Sequence, residues 1–118
     1  MLPKKYRLKK RVAFNATYKV KNSFHKDGIT MFCGKEKSND IPTKFGFVVS
    51  KKIHKRAVVR NRIKRLMRES LRLYIKDRKT GFDTKHISII FVASTKLIDK
   101  RFKDIDSGIK KLMRCINA

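Results

Sequence analysis

The 118-residue sequence predicts an α+β domain on three observations. Three segments repeat their apolar residues at helical spacing, three others alternate or run apolar as strands do, and the two kinds are interleaved along the chain. The length suits one domain with a modest core and is too short for two ordinary ones, so residues 1–118 are expected to form a single domain.

Each element has its own signal. In VAFNATYKVK, residues 12–21, Phe14 and Tyr18 stand four apart and so share one face of a short helix. No Ser, Thr, Asp or Asn precedes it as a cap. GITMFC at 28–33 and FGFVVSK at 45–51 alternate and are rich in β-branched and aromatic residues, which predicts two strands. A long helical pattern covers residues 57–74. HISIIFVA at 86–93 is an almost unbroken apolar run, as in a strand covered on both faces. Phe102, Ile105, Ile109, Leu112, Met113 and Ile116 recur at helical spacing and predict a closing helix that packs on the core. KEKSNDIPTK (Lys35 to Lys44) and DRKTGFD (Asp77 to Asp83) read as loops.

Charge selects the partner. The chain has 33 Lys and Arg against 9 Asp and Glu, a net +24. Self-repulsion on that scale opposes compaction unless a polyanion is bound, and nucleic acid is the leading candidate. An anionic membrane is the rival, but no apolar run reaches the roughly 18 to 20 residues that span a bilayer, and no apolar segment follows the basic start MLPKKYRLKKR. A soluble, cytoplasmic protein is expected, with no membrane association. Residues 1–76 carry 23 basic and four acidic side chains and residues 77–118 carry ten and five, which puts the binding surface mainly in the first two thirds.

The stretch AVVRNRIKRLMRES, extended to Tyr74, concentrates that charge. Wound at about 100° per residue, Val59, Ile63, Leu66, Met67, Ser70, Leu73 and Tyr74 fall in one arc. Arg60, Asn61, Lys64, Arg65, Arg68 and Arg72 fall in another. Leu71 intrudes on the basic arc, and Arg62 sits at the margin of the apolar one. A merely solvated face would mix signs through i,i+4 pairs, yet Glu69 is the one acid here. Arginine forks grip phosphate oxygens, Lys64 acts as a point charge, and the Asn61 amide both donates and accepts. A base edge, a ribose hydroxyl or a phosphate–water network would each suit that amide.

Other chemistries find less support. Cys33 and Cys115 lie in apolar surroundings and read as small hydrophobes, and His25, His54 and His86 fall in no HxxxH or CxxC frame, so no metal site is predicted. A metal-free nuclease would need two histidines and a lysine brought together, which sequence alone does not do. A ribosomal protein would share the size, the charge and an RNA partner. A DNA regulator would need a helix, not a strand, ahead of the basic helix.

The segment SKKIHKRAVVRNRIKRLMRES, Ser50 to Ser70, closely resembles the signature of the bacterial ribonuclease P protein subunit, whose hallmark is the RNR helix, here Arg60, Asn61 and Arg62. YRLKKRVAF, FGFVVSKK and ISIIFVAS stand in that family's order, so the resemblance covers nearly the whole chain. The connection IHKRAVV has His54 and Lys55 where many members carry Gly.

What this likeness implies goes beyond periodicity. The implied fold is αβββαβα, a four-stranded sheet with three helices and a left-handed βαβ crossover, the opposite of the usual hand. The implied activity belongs to a ribonucleoprotein. A large catalytic RNA uses magnesium ions to hydrolyse the phosphodiester at the 5′ end of mature tRNA, and the protein supplies binding surface with no catalytic group and no bound cofactor of its own. Lys51, Lys52, Arg56, Arg60, Asn61, Arg62, Lys64, Arg65 and Arg68 are implied to meet the catalytic RNA. Phe14, Tyr18 and Phe32 are implied to form a cleft for the single-stranded 5′ leader of precursor tRNA. From sequence alone those three also read as ordinary core residues. No obligate protein partner is expected.

Overall fold

The computed structural model describes residues 2–37, 41–77 and 85–116. A 3-10 turn at Lys4–Tyr6 is followed by α1 (Arg11–Lys19), β1 (Asn22–Lys26), β2 (Ile29–Cys33), β3 (Lys44–Val48), α2 (Ala57–Asp77) and β4 (Ser88–Ala93). A second 3-10 turn, Thr95–Leu97, leads to α3 (Phe102–Ile116). The order αβββαβα is the one expected. The sheet runs β1-β2-β4-β3, with β1–β2 and β2–β4 antiparallel and β3–β4 parallel. β3, α2 and β4 therefore make a βαβ unit whose two strands lie side by side.

β1 is the strand that residue patterning does not show. Its sequence NSFHK is polar and only Phe24 is half-buried, so it is an edge strand with one inward anchor. Lys26 pairs with Ile29 across a two-residue turn in which Asp27 and Gly28 have φ of 49° and 84°. Both positive values are what a type I′ hairpin requires, and Asp-Gly is among the pairs best able to supply them.

Several boundaries differ from those expected. The first helix starts one residue earlier than predicted and stops at Lys19, where the Lys21 amide, at φ 59°, bonds to the Tyr18 carbonyl. Its start has no side-chain cap, as the sequence indicated. The strand expected over 45–51 ends at Val48, because the chain turns at Ser50, whose carbonyl accepts from the Ile53 amide. The strand expected over 86–93 begins at Ser88; His86 makes an isolated bridge with Glu36. Of the two predicted loops, Lys44 already belongs to β3 and Asp77 to α2, while 38–40 and 78–83 lie outside the described residues.

One face of the sheet carries the core. Met31, Phe91 and Phe47 align across β2, β4 and β3, as do Cys33, Ile89 and Phe45, and directly opposed residues share a face. Phe91 stacks between Phe45 and Phe47, with ring centroids 6.3 and 5.7 Å away. Onto these pack Ile63, Met67, Leu71 and Tyr74 of α2 and Ile105, Ile109, Leu112 and Met113 of α3. The Ser70 hydroxyl donates to Asp106 at 2.7 Å and ties the two helices together. The other face holds Phe32, Ile90 and Gly46 in one rung and Thr30, Val92 and Val48 in the next.

Candidate RNA interface

The basic helix is built much as its periodicity indicates, with one correction. Leu71, assigned to the cationic arc, is fully buried, and Leu73, assigned to the apolar arc, is only half-buried. The buried stripe Ile63, Met67, Ser70, Leu71 and Tyr74 follows the contact with α3, so the seam drifts round the helix toward its C-terminal half. What remains outside is cationic. Asn61, Arg65 and Arg68 are exposed on α2, and Lys51, Lys52 and Arg56 are exposed in the turn that feeds it. Leu2, Asn61, Arg65, Arg68 and Glu69 line a hollow of about 480 Å³ on this side.

Arg60, Arg62 and Lys64 are half-buried, and the two arginines have partners inside the protein. Arg60 Nη1 donates to the carbonyls of His54 and Lys55 at 3.0 and 2.9 Å, clamping the turn that starts the helix. His54 Nδ1 accepts from the Arg56 amide at 3.1 Å and stiffens the same turn, so this segment is held by side chains. Arg62 Nη2 donates to the Lys100 carbonyl at 2.9 Å and Nη1 to that of Ile98 at 3.4 Å, tying α2 to the segment before α3. Between these two guanidiniums Asn61 projects outward. Arg72 is spent differently: it grips Glu69 through two donors, at 2.6 and 3.1 Å. That hydrogen bond holds the Glu69 carboxyl below the usual range and raises Arg72.

The three aromatics sit on the opposite face of the sheet. Tyr18 meets Phe32 edge to face, with centroids 5.0 Å apart and planes at 84°. Phe14 lies over Gly46, where an added Cβ would come within 2.6 Å of its ring, so the absence of a side chain at 46 makes room for it. Thr17 fixes the helix on the sheet through a 2.5 Å hydrogen bond to the Ser88 hydroxyl. All three rings are half-buried, which is neither the burial of core residues nor free exposure. Burial raises the Tyr18 phenol above its ordinary pKa.

The sequence reading missed the rest of this shelf. Thr30, Val48 and Val92 form the open rung beside the aromatics, and His25 on β1 shares a 2.9 Å hydrogen bond with Thr30. The Asp27–Gly28 turn signal would have placed β1, and with it His25. His86, by contrast, is a satisfied core residue: its Nδ1 bonds to the Gly34 carbonyl at 2.9 Å. Among the described residues no three His, Cys, Asp or Glu side chains cluster as a metal site. Among the described residues no helix is long and apolar enough to cross a membrane.

A cationic helix on one side of a sheet and a half-open aromatic shelf on the other define an RNA-binding α+β protein. The Ribonuclease P family model matches residues 2–117, so the chain belongs to that bacterial family, the RNA-binding protein subunits of the endonuclease that processes tRNA 5′ ends. It is 39% identical over 108 residues to the ribonuclease P protein component of Clostridioides difficile, covering 91% of this chain and 88% of that one. The component from Alkaliphilus oremlandii is 36% identical over 111 residues, covering 94% and 90%. The solved Staphylococcus aureus RNase P protein superposes with a TM-score of 0.75 at 29% identity over 93% of this chain and 94% of the other.

Proposed function

We propose that residues 1–118 act as one domain that joins the ribonuclease P RNA through α2 and its entry turn, and holds the 5′ leader of precursor tRNA on the α1 face. The observation that carries this reading is the separation of the two surfaces by the sheet. A long RNA and a single strand can then be held at once without competing. Lys51, Lys52, Arg56, Lys64, Arg65 and Arg68 supply phosphate contacts, and Asn61 a neutral donor and acceptor. Arg60 and Arg62 contribute charge from guanidiniums whose position is fixed by the carbonyls they hold. Phe14, Tyr18 and Phe32 offer ring edges and faces to bases with little sequence preference.

Magnesium in this reading belongs to the RNA. Four carboxylates are already engaged by the protein's own cations: Glu69, Asp106, Asp27 and Glu36 pair with Arg72, Lys110, Lys111 and Lys85. The protein's part is electrostatic. Its cations offset phosphate repulsion between the two RNAs that added magnesium would otherwise have to screen. In this reading the chain works in the cytoplasm, beside its substrate.

Reconstitution tests the proposal. The protein alone is expected to leave precursor tRNA intact, and its addition to ribonuclease P RNA should raise 5′ cleavage most at low magnesium and moderate salt. Cleavage at the mature 5′ end by RNA-free, metal-chelated protein would overturn it.

A further inference from the structure

Six of the first eleven residues are Lys or Arg and none is acidic, yet none of the residues assigned above to either RNA surface lies among them. This segment is pinned in place. Leu2 is buried, Lys4–Tyr6 form a 3-10 turn, Arg7 bridges Phe45 in parallel, and the Leu8 amide donates to the Phe45 carbonyl at 2.8 Å. It thus runs along the free edge of β3 and delivers its lysines to the start of α1.

Two adjoining hollows open there, of about 450 and 340 Å³, sharing Leu8, Ala13 and Lys44. The first is walled by Lys4, Lys9, Lys10 and Lys44. The second continues over an apolar floor of Ala16, Ile87 and Ile41, with Lys35 at its rim. Among the described residues no acidic side chain lines either one. Ammonium groups collected in this way repel one another, and a polyanion relieves that repulsion.

We propose that this groove binds the upstream part of the single-stranded 5′ leader, beyond the portion held by Phe14, Tyr18 and Phe32. The proposal rests on the leader reading above and extends it. An apolar floor between rows of lysines suits a strand whose bases are free to lie on it, whereas a duplex keeps its bases stacked inside and presents mainly backbone. Continuity selects the leader over the ribonuclease P RNA. Leu8, at the head of the groove, and Phe14, at the edge of the aromatic shelf, both close over Gly46. The groove and the shelf thus lie on the two flanks of α1 and meet round its N-terminal end, on the face of the sheet opposite α2.

The test uses the reconstituted ribonucleoprotein and precursor tRNAs with leaders lengthened stepwise. Wild-type affinity should keep rising after the aromatic shelf is filled. A variant carrying Lys9→Ala, Lys10→Ala and Lys44→Ala should lose that late rise, on the order of tenfold, while short-leader precursors and mature tRNA bind as before. Its slope of log K against log salt should fall by roughly two on long leaders, as for three lost contacts to a single strand. A control with Lys96→Ala, Lys100→Ala and Lys103→Ala removes the same charge from a distant surface and should keep the rise. Equal loss in both variants, or a groove-variant deficit that is the same with every leader and with mature tRNA, overturns the proposal in favour of bulk charge or of the ribonuclease P RNA. Tyr18→Ala separates the two levels: if it weakens short-leader binding while the groove variant matches wild type at all lengths, the groove fails and the shelf stands.

Discussion

Along β2 the side chains alternate between two environments. Ile29, Met31 and Cys33 are wholly shut in, whereas Thr30 and Phe32, one residue away, stay half-open beneath α1. The difference follows from how much helix each face receives. A five-residue strand is ~17 Å long, and one helix with its side chains is ~10 Å wide. The 21-residue α2 and 15-residue α3 together cover the core face. The nine-residue α1 lies over the rung of Phe32, Ile90 and Gly46, with Thr17 reaching Ser88, and leaves that of Thr30, Val92 and Val48 half-open to a ligand. A sheet closed on one side by two helices and on the other by a single short one is stable and still has a binding shelf.

Breaking the closed face should have the largest effect. Phe91→Ala removes the central ring of the Phe45–Phe91–Phe47 stack and is expected to cost about 3 to 5 kcal/mol of stability. Denaturant titration should show the loss, and binding of precursor and mature tRNA should fall together as the fold is lost. A Phe91→Ala protein of wild-type stability would mean that this face is not the core.

The open face should respond differently. Tyr18→Ala takes away one half-exposed ring whose contact is Phe32, so stability should change little. Leader-bearing precursors should bind more weakly by about 1 to 3 kcal/mol, the range for one stacked base. Mature tRNA, which has no leader, should be unaffected. A deficit that persists with no leader at all would place the leader elsewhere.

These two faces were not equally legible in the sequence. Helical periodicity located α2 and α3, and the apolar run located β4, because burial against a helix leaves a regular hydrophobic signal. β1 left almost none, since a polar edge strand with one anchor resembles a loop; its turn dipeptide carried the information instead. Arg60, Asn61, Lys64, Arg65 and Arg68 were legible as a cationic arc from helical spacing. Lys51, Lys52 and Arg56 precede the helix and Arg62 sits at the margin of the apolar arc, so those four came from the likeness to the family. That Arg60 and Arg62 also hold main-chain carbonyls was not legible, because such bonds depend on where the Lys51–Arg56 turn and the Ile98–Lys100 segment come to rest in three dimensions. Half-burial of Phe14, Tyr18 and Phe32 likewise depends on the length of α1 relative to the sheet. Chirality of the crossover has no trace in hydrophobic spacing, which reads the same for either hand.

The smallest effect contrasts the two cysteines, one on the closed face and one outside it. Cys33 is buried on the core side of β2, and burial, with a lesser contribution from Cys115, raises its thiol to about 11. Cys115 is exposed near the end of α3. The thiolate is the form that reacts with alkylating agents. Iodoacetamide at neutral pH is therefore expected to modify Cys115 alone, with no change in fold, and to reach Cys33 only when the chain unfolds. The sign of the linkage is fixed by the same shift. A thiol with a raised folded pKa contributes stability that is complete below its ordinary value of 9.0 and is lost as pH climbs toward about 11. Cys33→Ser would leave a hydroxyl in place of the thiol and flatten that alkaline decline. Labelling of Cys33 at a rate close to that of Cys115 in the folded protein would show that α2 and α3 do not seal their face.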